Sequence, residues 1–441
     1  MATSLPNPVP IPVGGRSGFN PVLDGVRGLA ILLVMLYHMT VMNSKTEFCE
    51  NFRLVLGMGW MGVDLFFVLS GFLITGILWD AKGTADYFRN FYARRTLRIF
   101  PLYYAVVFVC LVVIPKVLPA ILPHVVSPQT TDVLMGKLDR FGNVQGYEHW
   151  FWLYLCNIPM AIYGSFFHGI LGVCWSLAIE EQFYLVWPAV VRYCSRERLM
   201  RVCAAVFVLA LVWRLLVQFV LPMYRPDMIP MHTAIAVYVS TFSRMDALVA
   251  GAFLALWLRQ PGVNLPALAR RARPLALIGF VVAVAIAVLE TRGSVYNAEV
   301  GPYIGQTPLF LTFGLTLLSL VFGSVLLIGL ASPKGAFVNR VLTNRLLRTF
   351  GKYAYAMYLF HQPIRAIVRD LIFGPIESAK FHFPLFMGSQ IFGQLIFYPL
   401  CIGLTLAAAW VSWRIFENPL LRLKKYFPSG AEAHVPTLPQ K

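Results

Sequence analysis

Ten separate runs of about 20 mostly apolar residues divide this chain, and they leave it few folds to adopt. That is the length a helix needs to cross the hydrocarbon core of a bilayer. The runs fall at roughly 22–42, 57–79, 100–120, 173–192, 201–222, 235–258, 274–291, 308–331, 353–373 and 389–416. In lipid, every backbone donor and acceptor must be satisfied within the chain, so each run is expected to be a helix. Only 13% of the 441 residues are charged, too few to cover a soluble protein of this length. The net charge of +17 does not point to nucleic acid, because the basic residues sit in short clusters between apolar runs. That pattern sets membrane orientation. With the N-terminus placed in the cytoplasm, the inner segments hold roughly three times as many Lys and Arg as the outer ones. The expectation is an all-α polytopic membrane protein of about ten transmembrane helices, N-in and C-in.

One stretch resists this count. Residues 150–166 are aromatic but too short to span, and an eleventh crossing there would invert every later basic loop. We read it as interfacial or re-entrant. Residues 1–20, rich in Pro and Gly, are expected to form a disordered cytoplasmic tail; 21–420 form the transmembrane domain, and 421–441 a C-terminal cytoplasmic tail. The first run lacks the small-residue cleavage site of a signal peptide. Seven cysteines show no CxxC spacing and read as buried thiols, and eight histidines form no HxxxH pair, so no metal is expected.

The chemistry should lie in the polar residues that interrupt the apolar runs. Leu23–Val41 is apolar apart from Asp24, Arg27, Tyr37, His38 and Thr40. From Arg27 to His38 the helix makes about three turns, returning to nearly the same face roughly 16 Å further along. Ionisable groups inside a bilayer are costly and usually face a bundle interior or a wet cavity. The unperturbed imidazole pKa near 6.5 suits a general base, although a structural hydrogen bond is the competing role for His38. In the first inner loop, Arg95 and Arg98 share a helix face, with Arg89 and Arg94 close by. Guanidinium forks suit phosphate; topology or lipid headgroups would equally explain any one of them. Arg27 starts its span at the same depth, so several arginines can converge on one polyphosphate.

Two adjacent carboxylates, Glu180 and Glu181, interrupt the fourth run. They point about 100° apart, so at least one needs a partner inside the bundle. Glu180 is the expected inward one, either orienting the histidine or pairing with an intramembrane arginine, for which Arg244 in FSRMDALVAGAFL is the candidate. Asp64 lies near the outer end of its span, where it can meet an acceptor. Ser70-Gly71 is expected to serve close helix packing. His361 precedes Pro363, whose missing N–H frees carbonyls that the imidazole can satisfy.

Six segments, in order, resemble the acyltransferase-3 family of integral membrane acyltransferases. They are LDGVRGLAILLVMLYH, FFVLSGFLI, RRTLRIFPLYY, WSLAIEEQFYLVWP, the Arg244 segment and YAMYLFHQPI, covering about 20 to 420. The resemblance implies transfer of an acyl group, by default acetyl, from cytoplasmic acyl-CoA to a hydroxyl of a carbohydrate, lipid-linked glycan or glycosylated metabolite. It implies His38 as the essential residue, and Arg27 with the Arg95/Arg98 pair serving the donor. A bacterial cytoplasmic membrane location is expected; many relatives carry an extra-cytoplasmic SGNH-type domain, and with about two dozen residues after the last expected span the stand-alone form is expected here. Two other readings compete. Intramembrane Arg, Glu and His also build proton-coupled transporters, and a non-catalytic scaffold could keep the fold. The cytoplasmic arginine pair discriminates against a transporter, which has no need of CoA.

Overall fold

The computed structural model describes residues 20–40, 52, 55–125, 146–167, 170–225, 230–293, 307–373 and 390–428. The expected N-terminal tail before Asn20, the end of the C-terminal tail and parts of the outer loops lie outside these residues. Among the described residues the ten apolar runs are helical, the sixth with a break at Ser240. We number the helices α1 Pro21–His38, α2 Gly62–Asp80, α3 Tyr87–Phe108, α4 Glu148–Trp152, α5 Asn157–Tyr163, α6 Cys174–Tyr193 and α7 Arg196–Leu215. They continue with α8 Pro230–Val239, α9 Thr241–Trp257, α10 Leu265–Gly293, α11 Leu315–Ala331, α12 Phe337–Leu342, α13 Arg345–Phe373 and α14 Ile391–Ser412.

Among the described residues, eight helices are long and apolar enough to cross a membrane. The two expected spans outside that set are α6 and α13. α6 carries Glu180 and Glu181; α13 carries Lys352, Arg365, Arg369 and Asp370. Polarity, and not length, separates them from the others: Glu180, Glu181 and Gln182 lower the hydropathy of α6, and the charged residues with His361 and Gln362 lower that of α13.

Local signals explain where the helices begin. The Asn20 side chain accepts from the Val22 N–H, Pro21 takes the first helical position and Asp24 lies in the first turn of α1. Ser195 caps α7 through the Arg198 N–H. α3 starts thirteen residues before its apolar run, so Arg89, Arg94, Arg95 and Arg98 lie on a continuous helix and not in a loop.

Contacts between helix ends fix the relative directions. Asp80, closing α2, pairs with Arg259, which follows α9, through two contacts of 2.8 and 2.7 Å. Lys82 donates to the Cys194 carbonyl just beyond α6. Arg94 donates to the Phe427 carbonyl at 2.8 Å and Asn90 to that of Pro428 at 3.0 Å, so the chain after α14 folds back on α3. The basic segments thus share one end of the bundle with the start of α1, which we call the inner end. The 150–166 stretch does not span: α4 and α5 have five and seven residues. It is re-entrant, for its carbonyls meet side chains from the middle of the bundle. Tyr103 donates to Phe151 at 2.8 Å, and Gln182 to Tyr154 at 2.9 Å. Irregular backbone at that depth is stable only when protein supplies such partners.

Two glycine crossings set the centre of the bundle. A Cβ on Gly28 would lie 1.8 Å from the Leu347 carbonyl oxygen, and one on Gly351 1.9 Å from that of Asp24. A Cβ on Gly71 would lie 1.8 Å from the Leu248 oxygen, and one on Gly251 1.9 Å from that of Val68. Backbones this close require glycine on both partners. The first crossing locks α1 to α13 and the second locks α2 to α9.

Candidate active site

At the inner end, Arg27 on α1 and Arg95 and Arg98 on α3 line one cavity of about 840 Å³ of empty space, its open part included. Arg27 is held by Asp24 one turn back, at 2.9 Å. Arg95 stacks over Phe91 and Tyr184, 5.8 and 5.6 Å from their ring centres. Among the described residues no carboxylate forms an ion pair with Arg95 or Arg98. All three arginines singled out from the sequence for a phosphate-bearing ligand therefore face the same space.

Deeper in, Glu180 and Glu181 both line the cavity despite their differing directions on the helix. Ser70 donates to Glu180 at 2.6 Å. Glu181 keeps one buried carboxylate oxygen with no hydrogen-bond partner. Ser70 thus does more than permit packing, and its role was invisible in the sequence because Glu180 is 110 residues away. Arg244 is not the partner of Glu180. It pairs with Asp64 at 2.7 Å, both side chains being almost fully buried at the outer end. The reason is depth. Arg244 stacks over Trp175, five residues nearer the outer end of α6 than Glu180. A second buried pair joins Arg214 of α7 to Asp246 at 2.8 Å, with Arg214 also donating to Thr316 and, at 2.6 Å, to the Ser243 carbonyl. Asp64 is consequently tied up in structure and not presented to solvent.

The cavity ends toward the outer side at Ser176 and Tyr358, whose hydroxyls are 2.7 Å apart. One turn beyond Tyr358 on α13 is His361, and against it lies His38, the last residue of α1. His361 Nε2 and His38 Nδ1 are 3.0 Å apart, and His361 Nδ1 is 2.6 Å from the Tyr358 carbonyl oxygen. Sequence reasoning gave His361 to the Pro363 kink; it contacts carbonyls of its own helix, but it also touches His38, 323 residues away. Arg365, one turn further on, donates to the His38 carbonyl at 2.7 Å, and Gln394 to the Met39 carbonyl at 2.9 Å. These donors satisfy carbonyls that the end of α1 would otherwise leave unpaired. The i, i+4 spacing of His361 and Arg365 was a readable sign that both face one neighbour. Glu180 shares no hydrogen bond with His38.

Comparison with known proteins fits this arrangement. A family model described as an acyltransferase domain matches residues 20–414. The chain is 28% identical over 363 residues to the peptidoglycan O-acetyltransferase OatA of Listeria monocytogenes, covering 80% of this chain and 50% of that protein. It is 26% identical over 415 residues to the O-acetyltransferase OatA of Staphylococcus aureus, covering 91% and 57% respectively. The chain spans about half the length of the curated relatives it matches. No solved structure matches it.

Proposed function

The chain belongs to the acyltransferase-3 family, and on that premise we propose that this multi-pass bacterial membrane protein is an O-acyltransferase. It moves an acyl group, most simply acetyl, from cytoplasmic acyl-CoA to a hydroxyl of a carbohydrate or lipid-linked glycan. Peptidoglycan is the acceptor named for its relative in Listeria, and a glycan of that class is the acceptor to try first. The membrane is the bacterial cytoplasmic membrane, with the basic end of the bundle inside.

One observation carries this reading: three arginines open into a single cavity that runs between the helices to Tyr358, one turn of α13 short of His361 and its contact His38, neither of which lines it. The donor has phosphates at one end and a thioester at the tip of a thin pantetheine arm. Arg27, Arg95 and Arg98 suit the phosphates, since a guanidinium pairs with two phosphate oxygens at once. Phe66, Leu73 and Ile74 offer the arm an apolar wall. The roughly 16 Å rise from Arg27 to His38 is of the order of that arm's length. His38, at the outer end of α1, is the base. Its imidazole takes the hydroxyl proton as the hydroxyl oxygen bonds to the thioester carbonyl carbon. The tetrahedral species then expels the sulfur, and the imidazolium returns the proton to that thiolate, leaving ester and free CoA. Direct attack needs no acyl-enzyme.

The test is transfer of labelled acetyl from acetyl-CoA to peptidoglycan fragments or a lipid-linked disaccharide by the purified protein in nanodiscs. His38→Ala should lower turnover by at least about a hundredfold, the lower bound of what a positioned base contributes. Wild-type turnover in H38A, or a labelled acyl-His38 competent to react onward, would overturn the assignment.

A further inference from the structure

We infer that His361 is a positioning residue that fixes the proton of His38 on Nδ1, leaving His38 Nε2 as the basic nitrogen. This rests on His38 being the base, but its argument is a proton count that needs neither substrate. The Tyr358 carbonyl can only accept, so His361 Nδ1, 2.6 Å away, must donate to it. A neutral imidazole carries one N–H, so His361 Nε2 then holds a lone pair. That lone pair faces His38 Nδ1 at 3.0 Å, so His38 Nδ1 is the donor and its Nε2 is left without a proton.

The surroundings keep this count in place. Arg365 lies against the end of α1 and its charge acts on both rings. A doubly protonated His361 would add a second cation beside that guanidinium. The Val34 carbonyl, four residues before His38, also acts on the His38 ring, as the Met357 carbonyl does on His361. In a helix a carbonyl so placed lies nearest Nδ1, where it can share the same N–H without holding it alone. The arrangement runs from a backbone carbonyl through His361 to His38. It has the logic of a base oriented by a third group, with an imidazole standing where a carboxylate is more usual. An imidazole suits this depth, because it orients the base without burying a negative charge.

The sequence gives a handle for a direct test. Full-length protein labelled with 15N-histidine, in nanodiscs without donor or acceptor, reports for each imidazole nitrogen whether it carries the proton. The His38 resonances are identified by their loss in His38→Ala. Wild type should show His38 as a single tautomer protonated at Nδ1. His361→Phe keeps the ring volume but removes the acceptor. It should yield a mixture of His38 tautomers and a kcat lower by roughly tenfold or more, with KM for acetyl-CoA changed less than about twofold. His361→Gln places an amide oxygen near the position of Nε2 and should recover part of the lost kcat and the Nδ1–H tautomer. An unchanged His38 tautomer in H361F would overturn the inference and leave the Val34 carbonyl as the sole determinant. So would a His361→Gln variant no better than the Phe one, or a wild-type His38 protonated at Nε2. Because the tautomer is read without turnover, the result stands apart from whether acetyl transfer is observed.

Discussion

The two ends of the bundle use arginine in opposite ways. At the outer end, Arg214 and Arg244 are fully buried and each is matched to an aspartate, at 2.8 and 2.7 Å. At the inner end, Arg95 and Arg98 are half-buried, face a cavity and have no carboxylate partner among the described residues. An arginine within a span is therefore not by itself a sign of a binding site. What distinguishes the two groups is contact: the outer arginines form ion pairs, whereas Glu180 and Glu181 act on Arg95, and Glu417 on Arg98, from beyond ion-pair distance. A buried pair contributes to holding helices in register, and its net stabilisation is modest because both ions lose their hydration.

The sharpest way to break this comparison is to remove one member of an outer pair. Asp64→Ala strands Arg244 in a ring of aromatic faces, Phe67, Trp175 and Tyr238. It should cost about 3–5 kcal/mol, as expected when a buried charge loses its partner. Thermal unfolding in detergent should show a lower midpoint, and Asp64→Ala with Arg244→Met should recover much of it. If the single variant unfolds like wild type, the pair is not structural.

Next in size are the inner arginines. Arg95→Ala and Arg98→Ala should each weaken acyl-CoA binding by roughly tenfold or more, in line with about 1.5–3 kcal/mol for a hydrogen bond to a charged group. Neither should shift the unfolding midpoint as Asp64→Ala does. Ser70→Ala removes the donor to Glu180 and leaves a buried carboxylate oxygen wanting. Its expected cost is about 1–3 kcal/mol, read from the same unfolding curve, with a smaller effect on donor affinity than either arginine variant. The smallest effect belongs to Arg89→Ala. Its contact with Asp86 is long, at 3.5 Å, and exposed, so neither stability nor binding should change measurably.

Much of the fold was legible because the bilayer imposes a coarse rule. Helix length and the distribution of Lys and Arg set the ten runs, their helical state and the shared end of the basic segments. The reading of 150–166 as interfacial or re-entrant followed from the same rule, since a crossing there would have turned Arg192 through Arg201 to the wrong side. Within one helix the spacing of Arg27 and His38 was equally readable, because periodicity reports which residues share a face. Periodicity does not report which helix that face meets. The pairs His38–His361, Ser70–Glu180 and Asp64–Arg244 each join residues more than a hundred positions apart. Their geometry depends on the close crossings at Gly28/Gly351 and Gly71/Gly251. Misassigning Arg244 to Glu180 came from matching opposite charges without comparing their depth.

The most direct test of the central claim is binding of acetyl-CoA to the purified full-length protein in nanodiscs. Wild type should be compared with Arg95→Ala/Arg98→Ala and with His38→Ala. The account predicts saturable binding to wild type and to the His38 variant, lost when the arginine pair is removed. No binding to well-folded wild type, or binding indifferent to Arg95 and Arg98, would contradict it. A proton-coupled transporter built from the same intramembrane groups would then be the better reading.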